Sequence, residues 1–243
     1  MEKEKMDEES AMEFFDMMVG ENDMIPMDEV ERKFLKFVQE DKHFCKYYDG
    51  IYILLNTGLR ISEFVGLTKS DIDFENMKIN VDHQLQRYIG IGYKMVEPKT
   101  ESGIRQIPMT EDVAECFRRV IKNRVTPKVE PIIDGYAGLL WLDKDGKPMV
   151  AMHWEKYFQH ICDKYNATYK VQIPRITPHV CRHTFCSRMA AARMNPKTLQ
   201  YIMGHADISV TMNTYTHLGF EEASEEVSRI AKEKSKKSIR KVV

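Results

Sequence analysis

The sequence predicts an α+β fold that is mostly α-helical, with a small antiparallel β-sheet inserted near residues 77–108. Before residue 57 and after residue 150, apolar residues recur at the three- and four-residue spacing of a helix face. Near residues 77–108 the spacing changes to the two-residue alternation of strands. With 243 residues, of which 43% are hydrophobic, the chain can bury the core of one generous domain.

The first elements are helices that follow an acidic stretch. Residues 1–26 are rich in Met and in acidic side chains, and we expect a tail or linker there. A helix should begin near Met27, where apolar residues take up the helical spacing. A second helix, about Phe44–Asn56, should end at Gly58, because glycine suits a helix C-terminus.

Short strands are expected next. Met77–Leu85 alternates as a strand, Tyr88–Val96 is a second strand or a long loop interrupted by two glycines, and Ile104–Pro108 is a third strand. The connection Pro98–Gly103 is expected to be a hairpin with Lys99 at its tip. A lysine in such a place is usually just solvated.

The later elements are expected to be helices, and side chains suited to capping mark where they start. These capping residues are Thr110, Thr177, Asn195 and Asp207. Apolar residues at positions 154, 158 and 161 indicate one further helix. The helix from Asp207 should run to about Tyr215. A last helix should carry an apolar stripe formed by Phe220, Ala223, Val227 and Ile230.

The charge is unevenly distributed. The net charge of −1 alone argues against a nucleic-acid binder. Residues 1–40, however, carry 13 acidic and 5 basic side chains, whereas residues 41–243 carry 24 acidic and 31 basic ones. The segment Arg229–Lys241 has seven basic residues and one acidic residue. This asymmetry permits a basic face that binds phosphate, and the alternative is a solvated surface.

Nothing in the sequence suggests secretion or a membrane. No window approaches the roughly 20 apolar residues that cross a bilayer. The N-terminus has no apolar signal core, and the five cysteines, an odd number, suggest reduced thiols. We therefore expect a cytoplasmic protein with no membrane partner.

Arg60 and Glu63 form the first group of reactive side chains, just after the helix-ending Gly58. An arginine at such a junction can be aimed by a nearby carboxylate, and its planar fork can then hold a phosphate. The alternative is a surface Arg60–Glu63 ion pair, which these two residues taken alone would favour.

His179, Arg182 and His183 form the second group, inside the helix that Thr177 opens. His179 and Arg182 share one helix face, and a helix N-terminus offers N–H groups to an anion. His179 and His183 also have the four-residue spacing of a zinc-binding helix. Val180 stands where a zinc hydrolase would have its glutamate base, so we favour phosphate over zinc.

The third group is Gly204–Asp207 followed by Tyr215 and His217. A tyrosine has an ordinary pKa of about 10 and needs cations or a base beside it to act as a nucleophile. Taken alone, Tyr215 is more often a packing residue, and Tyr201 is an equal candidate.

Together and in order, these pieces resemble the tyrosine recombinase family, especially the integrases of phages and conjugative transposons. The resemblance runs from about Met27 to Leu218. It rests on the segments Thr57–Glu63, Pro98–Thr100 with Ile104–Pro108, Thr177–Thr184, and Met203–Asp207 with Thr211–His217. It implies a tyrosine recombinase catalytic domain over residues 27–219 and, because all six catalytic positions hold the expected residue type, an active enzyme.

The resemblance implies a reaction that needs no metal and no other cofactor. Tyr215 would attack the scissile phosphate, form a 3′-phosphotyrosine and release a 5′-hydroxyl. Arg60 and Arg182 would hold the nonbridging oxygens, and Lys99 would protonate the leaving oxygen. Two arginines and a helix N-terminus can supply the charge stabilisation that phosphoryl transfer requires.

The same resemblance assigns the remaining residues of the site. His179 and His205 would contact the phosphate or help to move the tyrosine proton. Glu63 and His183 take supporting positions, Glu63 by orienting Arg60.

The resemblance also implies partners. Double-stranded DNA and other protomers, in a tetramer on DNA, are expected, with a directionality factor or a host DNA-bending protein as further partners. Residues 220–243 would form a helix and basic tail that packs on a neighbouring protomer. The alternatives are packing within the same protomer or a basic helix that follows phosphates.

Integrases of this kind normally carry a helical DNA-binding domain ahead of the catalytic domain, and residues 1–26 are too short for one. We expect a fragment. Such a piece should bind DNA weakly, with strong salt dependence and poor specificity, because phosphate contacts do not distinguish base sequences.

Three rival functions remain. They are a DNA-binding regulator without catalysis, a zinc hydrolase that uses His179 and His183, and a type IB topoisomerase, which shares the tyrosine chemistry. The full set of reactive residues argues against the first, and the residues in the motifs fit integrases better than topoisomerases.

Overall fold

The computed structural model describes residues 27–215 and 227–228, and most of this part is helical. The helices are α1 (Met27–Glu40), α2 (Tyr48–Thr57), α3 (Ile61–Gly66), α4 (Glu111–Asn123), α5 (Ala151–Thr168), α6 (Pro178–Ala191), α7 (Pro196–Met203) and α8 (Ile208–Met212). Short 3-10 turns cover Cys45–Tyr47, Lys69–Asp71, Glu101–Gly103 and Asn213–Tyr215. The predicted α+β class is confirmed. The N-terminal tail, the catalytic-domain boundary at 219 and the last helix, apart from residues 227–228, lie outside the described residues.

The strands form two antiparallel sheets rather than one. The first has the order β1 (Ile72–Asp73), β2 (Lys78–Val81), β5 (Arg105–Pro108), and the second pairs β3 (Gln84–Tyr88) with β4 (Gly92–Val96). The predicted strand Met77–Leu85 is interrupted at His83, which is buried and hydrogen-bonded to Asp82 and to the Gly66 carbonyl. The chain therefore leaves the first sheet there and enters the second.

The hairpin predicted around Lys99 is wrong. The strand before it, β4, pairs with β3, and the strand after it, β5, pairs with β2. Since the two flanking strands have different partners, the segment with Lys99 is a connection between sheets.

The predicted helix starts are confirmed by their capping bonds. Thr110 and Thr177 accept hydrogen bonds from backbone N–H groups three residues on. Asn195 and Asp207 cap α7 and α8 by accepting from backbone N–H groups two residues on. The segment from Asp207 to Tyr215 is α-helical only as far as Met212 and then continues as a 3-10 turn.

The core places α3 firmly against the rest of the domain. Phe64 of α3 stacks on Trp141 at 4.4 Å between ring centroids and meets Trp154 of α5 edge-on at 4.9 Å. The Trp141 indole N–H donates to the Phe64 carbonyl at 2.7 Å. Arg60 directly precedes α3, so this packing fixes the position of the Arg60 backbone.

No helix within residues 27–215 is both long and apolar enough to cross a bilayer.

Candidate active site

Three arginines converge on the C-terminal end of α7. The last carbonyl groups of a helix lack partners within the helix, and cations are favoured there by the helix dipole. Arg105 Nε donates to the Ile202 carbonyl at 2.7 Å, and Arg182 Nη2 donates to the Met203 carbonyl at 2.6 Å. Arg60 Nη2 donates to the Gly204 carbonyl at 3.0 Å. One helix end therefore gathers guanidinium groups from β5, from α6 and from the start of α3. We call Arg60, Arg105 and Arg182 the arginine cluster.

Glu63 holds Arg60 by two hydrogen bonds. The backbone N–H of Arg60 donates to Glu63 Oε2 at 2.8 Å, and Arg60 Nη1 donates to Oε1 at 3.0 Å. The Glu63 side chain is only 3% exposed, whereas that of Arg60 is 32% exposed. This is a buried carboxylate that holds a partly exposed guanidinium, and not the surface ion pair of the alternative interpretation.

Arg105 is a further site residue, which the sequence motifs do not single out. It makes a two-point ion pair with Glu63, with Nη1–Oε1 and Nη2–Oε2 distances of 2.9 Å. The signal was present in β5, where Arg105 shares the inward face with Ile107. An arginine on a buried face needs a carboxylate partner.

Glu63 is ionised in this setting. Burial alone would raise the pKa of its carboxyl group, but the hydrogen bonds and charge of Arg105, with the charges of Arg182 and Arg60, outweigh it and lower the pKa to about 2. The arginine cluster thus surrounds a single permanent anion.

Arg182 is buried and fixed at two points. Besides the Met203 carbonyl it donates from Nη1 to the Gly58 carbonyl at 2.5 Å. It therefore joins the end of α2 to the end of α7.

Gly58 and Gly204, at these two junctions, must be glycines. Both have positive φ, 65° and 63°, which side chains with a Cβ rarely adopt. A Cβ on Gly204 would lie 2.9 Å from Arg105 Nη1, and one on Gly58 would lie 2.7 Å from a ring carbon of Phe185. The close approach of the arginine cluster depends on both residues.

His205 follows the helix end directly and lies beside the arginine cluster. It is buried, and its Nδ1 lies 3.0 Å from Thr211 Oγ1. Burial, together with the charges of Arg182 and Arg60, lowers the pKa of His205 to about 3. The imidazole is therefore neutral at pH 7.

His179 and His183 form a pair next to Arg182. Their Nε2 atoms are 2.7 Å apart, so one nitrogen donates its proton and the other accepts it. Burial, with the charges of His179 and Arg182, lowers the pKa of His183 to about 4. His183 is thus neutral. Because its Nε2 is hydrogen-bonded to Nε2 of His179, the tautomer of one ring determines that of the other.

This geometry favours the hydrogen-bonded pair over the zinc interpretation. Two nitrogens bound to one tetrahedral zinc lie about 3.3 Å apart, and the histidine pair is closer. Within residues 27–215, the group whose ligand atoms approach closely enough for a metal is Asp71, Asp82 and His83, which includes neither histidine of the pair.

Tyr215 does not reach the arginine cluster. Its hydroxyl donates a 2.6 Å hydrogen bond to the carbonyl of Met194, beyond the C-terminal end of α6. Arg182 lies in the first half of α6, about 14 Å in helix rise from the C-terminal end of that helix. Burial and the nearby Cys186 raise the pKa of the Tyr215 hydroxyl. The tyrosine is protonated and held away from the cations.

Lys99 and Tyr201 lie outside the arginine cluster as well. Lys99 is exposed on the connection between β4 and β5. Tyr201 is exposed on α7, and its hydroxyl accepts the backbone N–H of Gln106 at 3.0 Å. This contact caps the open edge of β5, which is a structural role for Tyr201. His217 lies outside the described residues.

We expect the domain to lose stability as the pH falls below about 6.5. In the unfolded chain His183 and His205 have their ordinary pKa of about 6.5 and bind protons below it. In the folded domain the pKa of His183 is about 4 and that of His205 is about 3. Between these folded values and the unfolded value of about 6.5, the unfolded state binds more protons, so stability rises with pH.

Urea denaturation at pH 7 and pH 5 tests this expectation. His205→Asn should reduce the loss of unfolding free energy between these pH values by about 2 kcal/mol. His43→Asn, which removes an exposed imidazole, is the control. Equal losses in the wild type and in His205→Asn would contradict the assignment of a neutral His205.

The chain matches a family model described as "Phage integrase family" over residues 24–222. It is 48% identical over 226 residues to the transposase from transposon Tn916 of Enterococcus faecalis, which covers 91% of this chain and 55% of the transposase. The chain thus spans about half the length of the curated relatives that it matches.

Solved structures give the same result. The Tn1549 transposon integrase in complex with circular intermediate DNA superposes with a TM-score of 0.78 and 51% identity, over 85% of this chain and 66% of that one. XerA recombinase superposes with a TM-score of 0.58 over 86% of this chain and 65% of that one. At 22% identity, this second likeness shows the fold alone.

Proposed function

Because the chain belongs to the phage integrase family, we propose that it cleaves and rejoins DNA through a 3′-phosphotyrosyl intermediate, for integration or excision of a mobile element. One observation supports this proposal above the others. Arg60, Arg182 and His205, which are far apart in the sequence, meet at the end of α7. Two fixed guanidinium groups and a neutral imidazole can stabilise the negative charge that develops on a phosphate during transfer.

In the proposed step, the Tyr215 oxygen attacks the scissile phosphorus while the bond from phosphorus to the 5′-oxygen breaks. The tyrosine proton passes to an imidazole nitrogen of His205 or of the His179–His183 pair, whose pKa the negative charge of a bound phosphate would raise from the low values of the free site. Lys99 supplies a proton to the leaving 5′-oxygen. Since one phosphoester replaces another, no external energy source is needed, and the reverse reaction rejoins the strand.

Two residues must move for this step. Tyr215 must leave the Met194 carbonyl, and the connection with Lys99 must bring its exposed ammonium group to the phosphate. Both lie in short segments beside the arginine cluster, whereas the arginines are held by α3, α6 and β5. We propose that bound DNA brings the two movable groups to a fixed pair of cations.

We propose that the substrate is double-stranded DNA, that the protein acts as a tetramer on it in the cytoplasm, and that a directionality factor or a host DNA-bending protein assists. The similar Tn1549 integrase was solved in complex with circular intermediate DNA.

The test uses a duplex that is nicked close to the cleavage point, so that the short 5′-hydroxyl strand diffuses away and the covalent product is trapped. We expect a protein–DNA band on a denaturing gel, formed equally well in EDTA. A requirement for zinc would favour the hydrolase. Relaxation of a supercoiled plasmid without strand exchange between sites would favour the topoisomerase. Absence of any covalent band would overturn the proposal.

A further inference from the structure

Arg105 is held by four hydrogen bonds from its guanidinium group. Its side chain is fully buried, although it comes from a short strand at the edge of a sheet. Besides its two-point ion pair with Glu63, it donates from Nε to the Ile202 carbonyl at 2.7 Å and from Nη1 to the Gly103 carbonyl at 3.0 Å. One guanidinium group therefore binds two distant parts of the chain, at Glu63 and Ile202, and the turn that directly precedes its own strand, at Gly103.

Each of these segments leads directly to a residue of the proposed reaction. Glu63 holds the backbone and the guanidinium group of Arg60. Ile202 immediately precedes the carbonyls that accept from Arg182 and Arg60. Gly103 closes the 3-10 turn that follows Lys99 on the connection between the sheets. Arg105 is thus placed to set the relative positions of both arginines and of the base of the lysine segment.

We propose that Arg105 is a positioning residue for the cleavage step. By clamping Glu63, the Lys99 connection and the end of α7 together, it aims the Arg60 guanidinium group and anchors the segment that delivers Lys99. This inference rests on the proposed function.

A purely structural role would have a different consequence. Replacing a buried ion pair changes stability but leaves remote chemistry unaffected, and such pairs are often not net stabilising. Here Glu63 is 3% exposed, and burial opposes its ionisation unless Arg105 is present. Without Arg105, Glu63 should take up a proton closer to neutral pH, and a protonated Glu63 cannot accept both hydrogen bonds from Arg60.

The experiment measures single-turnover formation of the covalent product on the nicked duplex, at saturating DNA, from pH 5.5 to pH 9. Arg105→Met keeps the length of the side chain and removes its donors. We expect a rate about 100-fold below wild type at pH 7, as misplacement of a catalytic group by about 1 Å costs. We also expect the rate of Arg105→Met to recover partly as the pH rises and Glu63 ionises.

Two further variants make the pH response specific. The double variant Arg105→Met with Glu63→Gln should be slow and should lack this recovery, because the titrating carboxyl group is gone. Arg105→Lys, which keeps the charge, should restore part of the rate at pH 7. Arg124→Met is the matched control: Arg124 is also buried, donates to the Leu139 carbonyl and is paired with Glu130. It should lower stability without lowering the rate.

The outcomes separate the two proposals. A wild-type rate and pH profile in Arg105→Met, with the variant folded by circular dichroism, would overturn the role of Arg105 and leave the proposed function intact. The same pH recovery in the double variant would also overturn it. Failure of the wild-type protein to form any covalent product would overturn the proposed function and, with it, this inference.

Discussion

Tyr215→Phe is expected to abolish the covalent protein–DNA product, with a rate of formation roughly 10⁴-fold or more below wild type, as for other lost nucleophiles. The substitution removes the attacking oxygen and leaves the ring, so the packing of the segment that follows α8 should survive. Its cost in stability is the single hydrogen bond to the Met194 carbonyl, about 1 kcal/mol. Denaturing gels with the nicked duplex measure the product, and thermal melting checks the fold.

Tyr201→Phe is the matched control, since it removes a hydroxyl whose contact is with the backbone of Gln106 on the edge of β5. We expect this variant to form the covalent product at the wild-type rate. If Tyr215→Phe still formed the product, Tyr215 would not be the nucleophile.

Arg182→Lys is expected to lower the rate of covalent product formation by about 10²–10³-fold, the usual effect of losing one donor that stabilises developing charge. Lysine keeps the positive charge but lacks the planar fork that reaches the Gly58 and Met203 carbonyls together. One buried carbonyl left without its donor should also cost about 1–3 kcal/mol of stability. Single-turnover rates at saturating DNA, with urea denaturation in parallel, separate the two effects.

Arg188→Lys provides the comparison on the same helix. Arg188 binds Glu31, the Leu55 carbonyl and Asn56, all away from the arginine cluster. It should lose stability and keep its rate. Comparable losses of rate in Arg182→Lys and Arg188→Lys would mean that Arg182 acts through the fold and not on the phosphate.

Local signals in the sequence were sufficient for the starts of several helices. Thr110, Thr177 and Asn195 cap the helices that they were predicted to start, because a cap depends on atoms only a few residues apart. The Arg60–Glu63 contact follows from the same short spacing. Elements of this kind could be placed before any tertiary structure was known.

Contacts between distant parts of the chain could not be placed in this way. The connection around Lys99 was wrongly predicted to be a hairpin. The partners of a strand depend on the whole sheet, and β4 and β5 pair with different strands. Arg105 lies 42 residues from Glu63, so its ion pair has no local signal beyond an arginine on an inward face. The hydrogen bond from the Tyr215 hydroxyl to the Met194 carbonyl likewise depends on how the ends of α6 and α8 lie relative to each other.

The crowding of three guanidinium charges around one carboxylate at the end of α7 has an energetic consequence. With His183 and His205 uncharged, Glu63 offsets only one of the three positive charges, and the like charges repel one another across a poorly solvated space. The fold sustains this local frustration in advance of any encounter with nucleic acid. A DNA phosphate bound there, as we propose, would relieve repulsion already present in the resting protein and would require little rearrangement of these three arginines.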